Sequence, residues 1–255
     1  MRVLALGDVV GQAGCDMVRR HLPRLRQEEG VDFCVVNGEN SAEGNGILPS
    51  SAKQLFDAGA DVITTGNHGL RRREINDLLD QNTGLLRPAN YHPSAHGFGW
   101  YLYDMLSYQV AVINLQGTVY LDNIENPFAW IDRMLDTIDA RIKIVDFHAE
   151  ATSEKLALSY YLDGRVSLLF GTHTHVQTAD ERIYPGGMGY ITDLGMCGPS
   201  ESVLGVRPEL AIRRLSTHLP TRFENADGPC HLCGIVADID EKSGKTTKIT
   251  RIEIK

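Results

Sequence analysis

Residues 142–175 read IKIVDFHAEATSEKLALSYYLDGRVSLLFGTHTH and contain one complete strand–helix–strand unit. Ile142–Phe147 and Leu168–Phe170 are apolar runs of strand length, and Glu154–Leu162 between them spaces its apolar residues at helical intervals. Strands that alternate with helices in this way lie parallel in one sheet, with the helices covering its faces. This stretch therefore predicts an α/β fold built on a mostly parallel sheet.

The same alternation runs through the chain before this unit. Further strands are predicted at Val3–Leu6, Phe33–Val36, Val62–Thr64 and Val110–Leu115. Helices are predicted at Met17–Leu25, Ala52–Phe56, Glu74–Leu79 and Ile131–Ile138. The C-terminal third is rich in glycine, and its runs Gly234–Asp240 and Lys248–Ile254 are typical of antiparallel strands. We expect a second sheet there.

The chain has 255 residues, a length that one α/β domain can use, and no linker-like composition marks a boundary. We therefore expect a single domain over residues 1–255. The loop-rich segment Arg87–Trp100 is compatible with a small lid and equally with an ordinary surface connection.

Charge and hydropathy exclude several classes of function. The net charge of −8 disfavours long nucleic acid, whose binding depends on Lys and Arg at phosphates, but it leaves small phosphorylated ligands open. No apolar run is long enough for a membrane span. The apolar run between Met1 and Asp8 is too short for the apolar region of a signal peptide. We expect a cytoplasmic protein.

The five cysteines do not form a recognisable framework. An odd number without an export signal argues against disulfides. Cys230 and Cys233 form one CxxC pair around His231, but a structural zinc site needs a second pair or two histidines. A strand-edge position is favoured over a zinc or redox role.

Metal-ligand residue types follow five of the predicted strands. They are Asp8, Glu39 and Asn40, Asn67 and His68, His148, and His173 with His175. Ligands in open α/β sheets bind outside the carboxyl ends of the strands, so these side chains should converge on one crevice. Each residue alone is open to a structural interpretation as a cap or loop residue, and the signal is their recurrence at five strand ends.

The His173-Thr174-His175 segment is the strongest single element of this pattern. Alternate residues of an extended segment point to the same side, so both imidazoles would address one site. The other five histidines lack this context and are expected to be surface or structural residues: His21, His92, His96, His218 and His231. Asp180 and Asp193 are likewise left out of the ligand set.

Mixed carboxylate, amide and imidazole ligands suit iron, manganese or zinc better than calcium. About seven ligands exceed the needs of one ion, whereas two ions roughly 3.5 to 4 Å apart, sharing one carboxylate, would use them all.

Several segments together resemble the YmdB-type metallophosphoesterases, a branch of the calcineurin-like superfamily. They are Gly7–Gly11, Asn37–Asn40, Gly66–His68, Arg87–Tyr91, Asp146–Lys155 and Gly171–Asp180, and the resemblance covers nearly the whole chain. It implies a metallophosphoesterase-type sandwich of two β-sheets flanked by α-helices, and hydrolysis of 2′,3′-cyclic nucleotides to 3′-nucleotides.

The resemblance also implies roles for individual residues. Asp8, Glu39, Asn40 and His175 would hold one metal, and Glu39, Asn67, His148 and His173 the other, with His68 as the catalytic acid. Iron is the implied metal, with Mn, Mg or Zn as alternatives, and a homo-oligomer is implied as well. The sequence departs from the superfamily pattern at two positions: Val10 stands where a His is usual, and Glu39 stands where an Asp is usual. Both departures are features of this branch.

One departure is local to this chain. Family members usually continue Gly-Asn-His with a small residue, Trp and Asp, whereas Gly69-Leu70-Arg71-Arg72-Arg73 stands here. The wall beside His68 therefore differs, and the arginines would either contact a substrate phosphate or form a solvated helix start.

The hypothesis from sequence is a dinuclear-metal phosphodiesterase in which a metal-bridging hydroxide attacks phosphorus and His68 protonates the leaving oxygen. The substrate would be a small phosphodiester or nucleotide. The alternatives are a broader phosphomonoesterase or nuclease, and a regulatory protein that senses a nucleotide.

Overall fold

The computed structural model describes residues 1–255 as thirteen strands and six helices. The strands are β1 Arg2–Leu6, β2 Asp8–Val9, β3 Phe33–Asn37, β4 Val62–Thr64, β5 Trp100–Asp104, β6 Gln109–Gln116, β7 Ile142–His148, β8 Leu168–Thr172, β9 Arg182–Ile183, β10 Gly189–Ile191, β11 Met196–Pro199, β12 Cys230–Ile239 and β13 Thr246–Ile254. The helices are α1 Gly11–Glu28, α2 Pro49–Ala58, α3 Asn76–Leu79, α4 Pro127–Leu135, α5 Thr152–Leu162 and α6 Pro208–Thr217.

The strands form two mixed sheets. The first has the order β2-β11-β12-β1-β3-β4, with β13 paired to β12, and the second has the order β5-β6-β7-β8-β10-β9. β1, β3 and β4 run parallel in the first sheet, and β6, β7, β8 and β10 run parallel in the second. The predicted α/β fold of two sheets with flanking helices is confirmed.

Alternation along the strands explains the layers. Leu4 and Leu6 of β1 face a core shared with α1 and α2, whereas Val3 and Ala5 face a core shared with the second sheet. The second sheet packs its outer face against α4 and α5. Both sheets therefore contribute to the core between them.

The distribution of the strands corrects two predictions. The predicted parallel strands do not share one sheet, because β1, β3 and β4 belong to the first and β6, β7 and β8 to the second. The glycine-rich C-terminal third does not form a sheet of its own. Its strand β12 pairs antiparallel with β1 on the edge opposite β3, with Leu4 beside Val236. Periodicity predicts that a strand exists but not which edge it pairs with.

The helices agree with the periodicity except at two places. The predicted Glu74–Leu79 helix is a 3₁₀ turn, Arg73–Ile75, followed by the one-turn α3, and α4 ends at Leu135 rather than Ile138. α4 begins where the Asn126 side chain accepts hydrogen bonds from the backbone N–H groups of Phe128 and Ala129. None of the helices has the length and apolar character that crossing a bilayer requires.

The segment Arg87–Trp100 divides into a buried and an exposed part. Arg87 and Asn90 are buried, and the Asn90 amide donates hydrogen bonds to the carbonyl oxygens of Gln116 and Glu125. His92 and His96 are more exposed, at the surface. The first part is therefore packed into the protein interior beside β6, and only the second part lies at the surface.

Candidate metal centre

The eight predicted site residues lie together where β1, β3, β4, β7 and β8 end. We call them the strand-end cluster: Asp8, Glu39, Asn40, Asn67, His68, His148, His173 and His175. Residues that follow strands of both sheets meet here: Glu39, after β3, contacts His148 of β7, and Asp8, after β1, accepts a hydrogen bond from the N–H of His173, after β8. The convergence that the strand-end pattern predicts is therefore present in the structure.

Glu39 lies at the centre of the cluster and is fully buried. Its Oε1 is 3.2 Å from Nε2 of His148 and 3.4 Å from Nδ1 of His68, and it accepts a 3.0 Å hydrogen bond from the Asn40 amide. The backbone N–H of His68 donates to its Oε2 at 3.2 Å. Glu39 thus contacts Asn40, which the resemblance assigns to one metal, and His148, which it assigns to the other. A ligand shared by two metals must make both contacts.

Three of the four cluster histidines, His148, His173 and His175, use one ring nitrogen to bind a group outside the cluster. The Leu204 carbonyl lies 3.0 Å from Nδ1 of His175, and the Glu150 carboxylate lies 3.0 Å from Nε2 of His173. Both acceptors require the proton on that nitrogen. The other nitrogen of each ring therefore turns a lone pair toward the cluster, as in histidines that bind metals.

A buried hydrogen-bond chain orients His148 in the same way. Thr172 donates its hydroxyl proton to Asp146 at 2.7 Å, so its oxygen accepts from Nδ1 of His148 at 2.9 Å. Asn37 and Thr64 also donate to Asp146. Nε2 of His148 then faces Nδ1 of His173 and the Asn67 oxygen, both at 3.0 Å. Asp146 lies in one of the segments that carry the family resemblance, but its role in orienting His148 was not predicted.

Burial and mutual charge shift the pKa values of the cluster. Burial raises the pKa of Asp8, and burial followed by the positive charge of His148 lowers the pKa of His173 to about 3. Burial would raise the pKa of Glu39, but His148 and His68 outweigh it and hold that pKa well below its usual range. Burial opposes protonation of His148, yet Glu39 and Asp8 raise its pKa to about 9. Without a cation, the site retains a proton at His148.

The donor atoms fit metal ions. Oδ1 of Asp8 is buried without a hydrogen-bond partner and lies 3.6 Å from Nε2 of His175. Oxygen and nitrogen lone pairs this close repel one another unless protons or cations lie between them. Glu39, His148 and His173 already present ligand atoms within 4.8 Å of one another. The chemistry and spacing of these groups match cation ligands.

The Asn40 amide turns its nitrogen toward the cluster, whereas a metal ligand would turn its oxygen there. Its Nδ2 faces Glu39 and His175, at 3.0 and 3.3 Å, while its Oδ1 lies 2.9 Å from Nδ1 of His68. A half-turn of the amide would bring the oxygen toward the cluster. The ligand role that the resemblance implies for Asn40 requires this orientation.

The His173-Thr174-His175 segment corrects one geometric expectation. β8 ends at Thr172, and the segment is not extended, since His173 and His175 have φ values of 100° and 62°. Both imidazoles still point into one site, but a turn through the left-handed region achieves this. Non-glycine residues in that region typically cost about 1–3 kcal/mol each, which is characteristic of functional segments.

A buried ion pair supports this strained turn, and residue patterns alone did not predict it. Nζ of Lys155 is 2.7 Å from Oδ2 of Asp193, and both side chains are at most 1% exposed. Asp193 also accepts hydrogen bonds from the N–H groups of Thr174 and Gly195. Asp193 follows β10, a short strand outside the predicted set, so no strand-end signal marked it.

The cluster opens into a cavity of about 730 Å³. His68, 18% exposed, lines this cavity, with Nδ1 bound to Asn40 and Nε2 without a partner. Arg71 and Arg222 also line it and form no ion pair. Arg72 instead donates to the backbone carbonyls of Glu43 and Asn45. Pockets that bind small ligands have volumes of this order.

Comparison with known proteins gives consistent similarities over the full chain. The model of the family described as YmdB-like protein matches residues 4–252. The chain is 46% identical to the 2′,3′-cyclic-nucleotide 2′-phosphodiesterase of Bacillus subtilis, covering 100% of this chain and 97% of that protein.

Two solved structures superimpose closely. A hypothetical protein from Thermus thermophilus has a TM-score of 0.95 at 36% identity, and the match covers 100% of this chain and 99% of that one. A structure from Mycoplasma pneumoniae, described as a novel phosphatase, has a TM-score of 0.95 at 35% identity, with coverages of 100% and 93%.

Proposed function

The chain belongs to the YmdB-like protein family, and from this premise we propose that it hydrolyses 2′,3′-cyclic nucleotides to 3′-nucleotides at the strand-end cluster. The chain is a hydrolase of phosphoric diesters, since a phosphodiesterase is 46% identical to it over its full length. Its net charge of −8 favours a small nucleotide over a long nucleic acid.

One observation carries the proposal: the inward-facing ring nitrogens of three histidines meet the buried carboxylates of Asp8 and Glu39. Each ring fixes its other nitrogen on a group outside the cluster, so that one nitrogen of each faces a common centre. The orphaned Oδ1 of Asp8 belongs to the same centre. Such an arrangement is costly without a cation and is what a metal-dependent hydrolase needs.

We infer that the ligands divide between two ions. Asp8, Asn40 and His175 would hold one ion, and Asn67, His148 and His173 would hold the other. Glu39 would be shared, because it contacts both Asn40 and His148. When bound, two such ions, iron in our proposal, would supply a water ionised near neutral pH and neutralise charge on the phosphoryl oxygens.

His68 is placed to move the proton in the second half of the reaction. As water adds to phosphorus, the bond from phosphorus to O2′ breaks, and O2′ must receive a proton. His68 lines the cavity and its Nε2 has no partner in the protein, so protonated His68 would donate that proton. The product keeps its phosphate on O3′.

The cavity offers complementary surfaces to a nucleotide. Arg71 and Arg222 place positive charge near the cluster, and the half-exposed side chains of Leu204 and Phe223 provide an apolar surface. A phosphate would pair with the former and a base would lie against the latter. A 2′,3′-cyclic nucleotide combines both groups in one small molecule.

Two substitutions test the proposal. Glu39→Gln removes the shared carboxylate charge, so metal content and hydrolysis of 2′,3′-cyclic AMP should fall together. His68→Ala should keep both metals and reduce turnover roughly 10²- to 10⁴-fold, the usual contribution of a general acid. Metal analysis of each purified variant is paired with the hydrolysis assay.

The two outcomes separate the parts of the proposal. A metal-free Glu39→Gln protein with wild-type activity would end the metal-dependent mechanism. Wild-type turnover of His68→Ala on substrates with poor leaving groups would remove only the acid role.

A broader phosphomonoesterase is the second candidate, and the Mycoplasma pneumoniae structure described as a phosphatase favours it. Pocket shape rather than the cluster decides between esters. Comparing kcat/KM for 2′,3′-cyclic AMP and 3′-AMP separates the two. Preference for the monoester would replace the diesterase proposal.

A further inference from the structure

A second group of metal-ligand side chains lies on the antiparallel pair β12–β13. We call it the His231 cluster: His231, Cys233 and Glu253. His231 and Cys233 are two residues apart on β12, so their side chains leave the same face, and Glu253 is the cross-strand partner of Cys233. One ligand atom from each lies within 4.8 Å of the other two.

Two of the three distances between the ligand atoms approximate the edges of a tetrahedral site. Nδ1 of His231 is 3.8 Å from Sγ of Cys233 and 3.7 Å from Oε1 of Glu253. Ordinary zinc–ligand bond lengths give tetrahedral edges of about 3.6 Å between nitrogen and sulfur and about 3.4 Å between nitrogen and oxygen. The two measured distances exceed these edges by a few tenths of an ångström, whereas 3.7 Å is too long for a nitrogen–oxygen hydrogen bond.

The imidazole of His231 has no nitrogen or oxygen partner. Only 18% of the side chain is exposed, Nε2 is buried without a hydrogen bond, and Nδ1 contacts only the weak acceptor Sγ. Nδ1 is the ring atom that faces Cys233 and Glu253, and a cation there would replace these weak contacts with a nitrogen–metal bond.

The neighbouring groups are consistent with a cation at this place. Lys255 already approaches the same Oε1 of Glu253, at 3.4 Å, but its side chain is 77% exposed and free to withdraw. The carboxylate therefore attracts positive charge to this position.

Cys230 does not belong to the site, although the sequence pairs it with Cys233. Its side chain packs against the core on the helix-covered face of the first sheet, the opposite side of β12 from Cys233. The relevant pattern is His-x-Cys with a cross-strand Glu, and only strand pairing reveals it.

We propose that His231, Cys233 and Glu253 bind one thiophilic divalent cation of the zinc type, leaving one coordination position open. A thiolate, an imidazole and a carboxylate together suit zinc and exclude calcium or magnesium, which require oxygen ligands. This site shares no residue with the strand-end cluster and does not depend on the proposed hydrolysis.

Cobalt(II) distinguishes the two sites, because the strand-end cluster contains no cysteine. The full-length protein is stripped of metal and titrated with cobalt(II), and the near-ultraviolet sulfur-to-cobalt charge-transfer absorption is recorded. The absorption should reach the intensity of one sulfur-bound cobalt ion per chain, and added zinc should remove it. Cys233→Ser should abolish it, while the matched control Cys230→Ser should retain it.

Glu253→Gln provides a variant on a half-exposed edge position, where the fold tolerates change. This variant should keep the charge-transfer absorption, because Cys233 is unchanged. Its cobalt affinity should fall at least tenfold, the lower end of the losses typical when a residue of a metal site is replaced. Absence of the absorption in the wild-type protein would overturn the proposal. So would its persistence in Cys233→Ser or an unchanged affinity in Glu253→Gln. Loss of nucleotide hydrolysis alone would not bear on it.

Discussion

Gly66 lies where the strand-end cluster leaves no room for a side chain. A Cβ added there would overlap the His148 ring and the Glu39 carboxylate. Gly66→Ala should therefore displace the shared ligand and lower metal content and activity by at least tenfold, while the protein remains folded. Metal analysis and circular dichroism measure the two effects.

Gly30→Ala is the matched control for this change. Its Cβ would meet nothing within 4 Å, but φ is +63°. It should cost about 1 kcal/mol of stability and leave metal content unchanged. Wild-type metal content in Gly66→Ala would show that the cluster is looser than described.

Arg71 lies in the segment after His68 where this sequence departs from the residues that usually follow Gly-Asn-His in the family. It is exposed, lines the cavity and has no ion-pair partner. If Arg71 binds the substrate phosphate in the ground state, Arg71→Ala removes one charge-assisted hydrogen bond. KM should then rise about tenfold with little change in kcat. Arg73→Ala, at the start of the 3₁₀ turn and outside the cavity, should leave both constants unchanged. Equal effects of the two substitutions would contradict the contact.

At the scale of elements, α5 is tied to the loop after β10 by the Lys155–Asp193 pair. Removing one partner leaves an unpaired charge in the interior, so Lys155→Met should lower the free energy of unfolding by about 3–5 kcal/mol. Chemical denaturation measures this loss. Because Asp193 also holds the N–H of Thr174, metal affinity should fall as well.

A surface pair on α2 gives the comparison. Lys53 and Asp57 are also close, at 2.6 Å, but their side chains are 73% and 62% exposed. Lys53→Met should change the free energy of unfolding by less than about 0.5 kcal/mol, since water and salt screen such pairs. Similar losses for Lys155→Met and Lys53→Met would mean that burial does not set the strength of the pair.

At the scale of the whole molecule, the core between the two sheets determines global stability. Phe170 of β8 is fully buried in this core. Phe170→Ala should lower the free energy of unfolding by about 3–5 kcal/mol, whereas Leu106→Ala, at a 98% exposed position, should change it by less than about 0.5 kcal/mol. Denaturant unfolding followed by circular dichroism checks both values.

The strand-end cluster adds a second link between the sheets, because its residues follow strands of both. Cations that bind only the folded protein stabilise it, by about 2.7 kcal/mol at a hundredfold excess over Kd. Removing metal with a chelator should lower Tm by roughly 5 to 10 °C in a protein of this size. The Glu39→Gln variant should lose most of this sensitivity, and an unchanged Tm in the stripped wild type would contradict the link.

The sequence by itself determined the α/β class, most strand positions and the membership of the strand-end cluster. These features obey local rules: apolar runs become buried strands, and ligands bind beyond the carboxyl ends of parallel strands. Ligand types at five strand ends therefore predicted proximity without knowledge of which strands pair. The assignment of these residues to two metals remains a prediction.

Only the tertiary structure decided which strands share a sheet and which groups orient the histidines. β12 joins β1 across more than 200 residues, and the partners of His148, His173 and His175 come from Thr172, Glu150 and Leu204. The Lys155–Asp193 pair and the His231 cluster also depend on packing and strand register. Such contacts are selected by the energy of the whole fold, because many residues of the same type are available and local patterns do not distinguish among them.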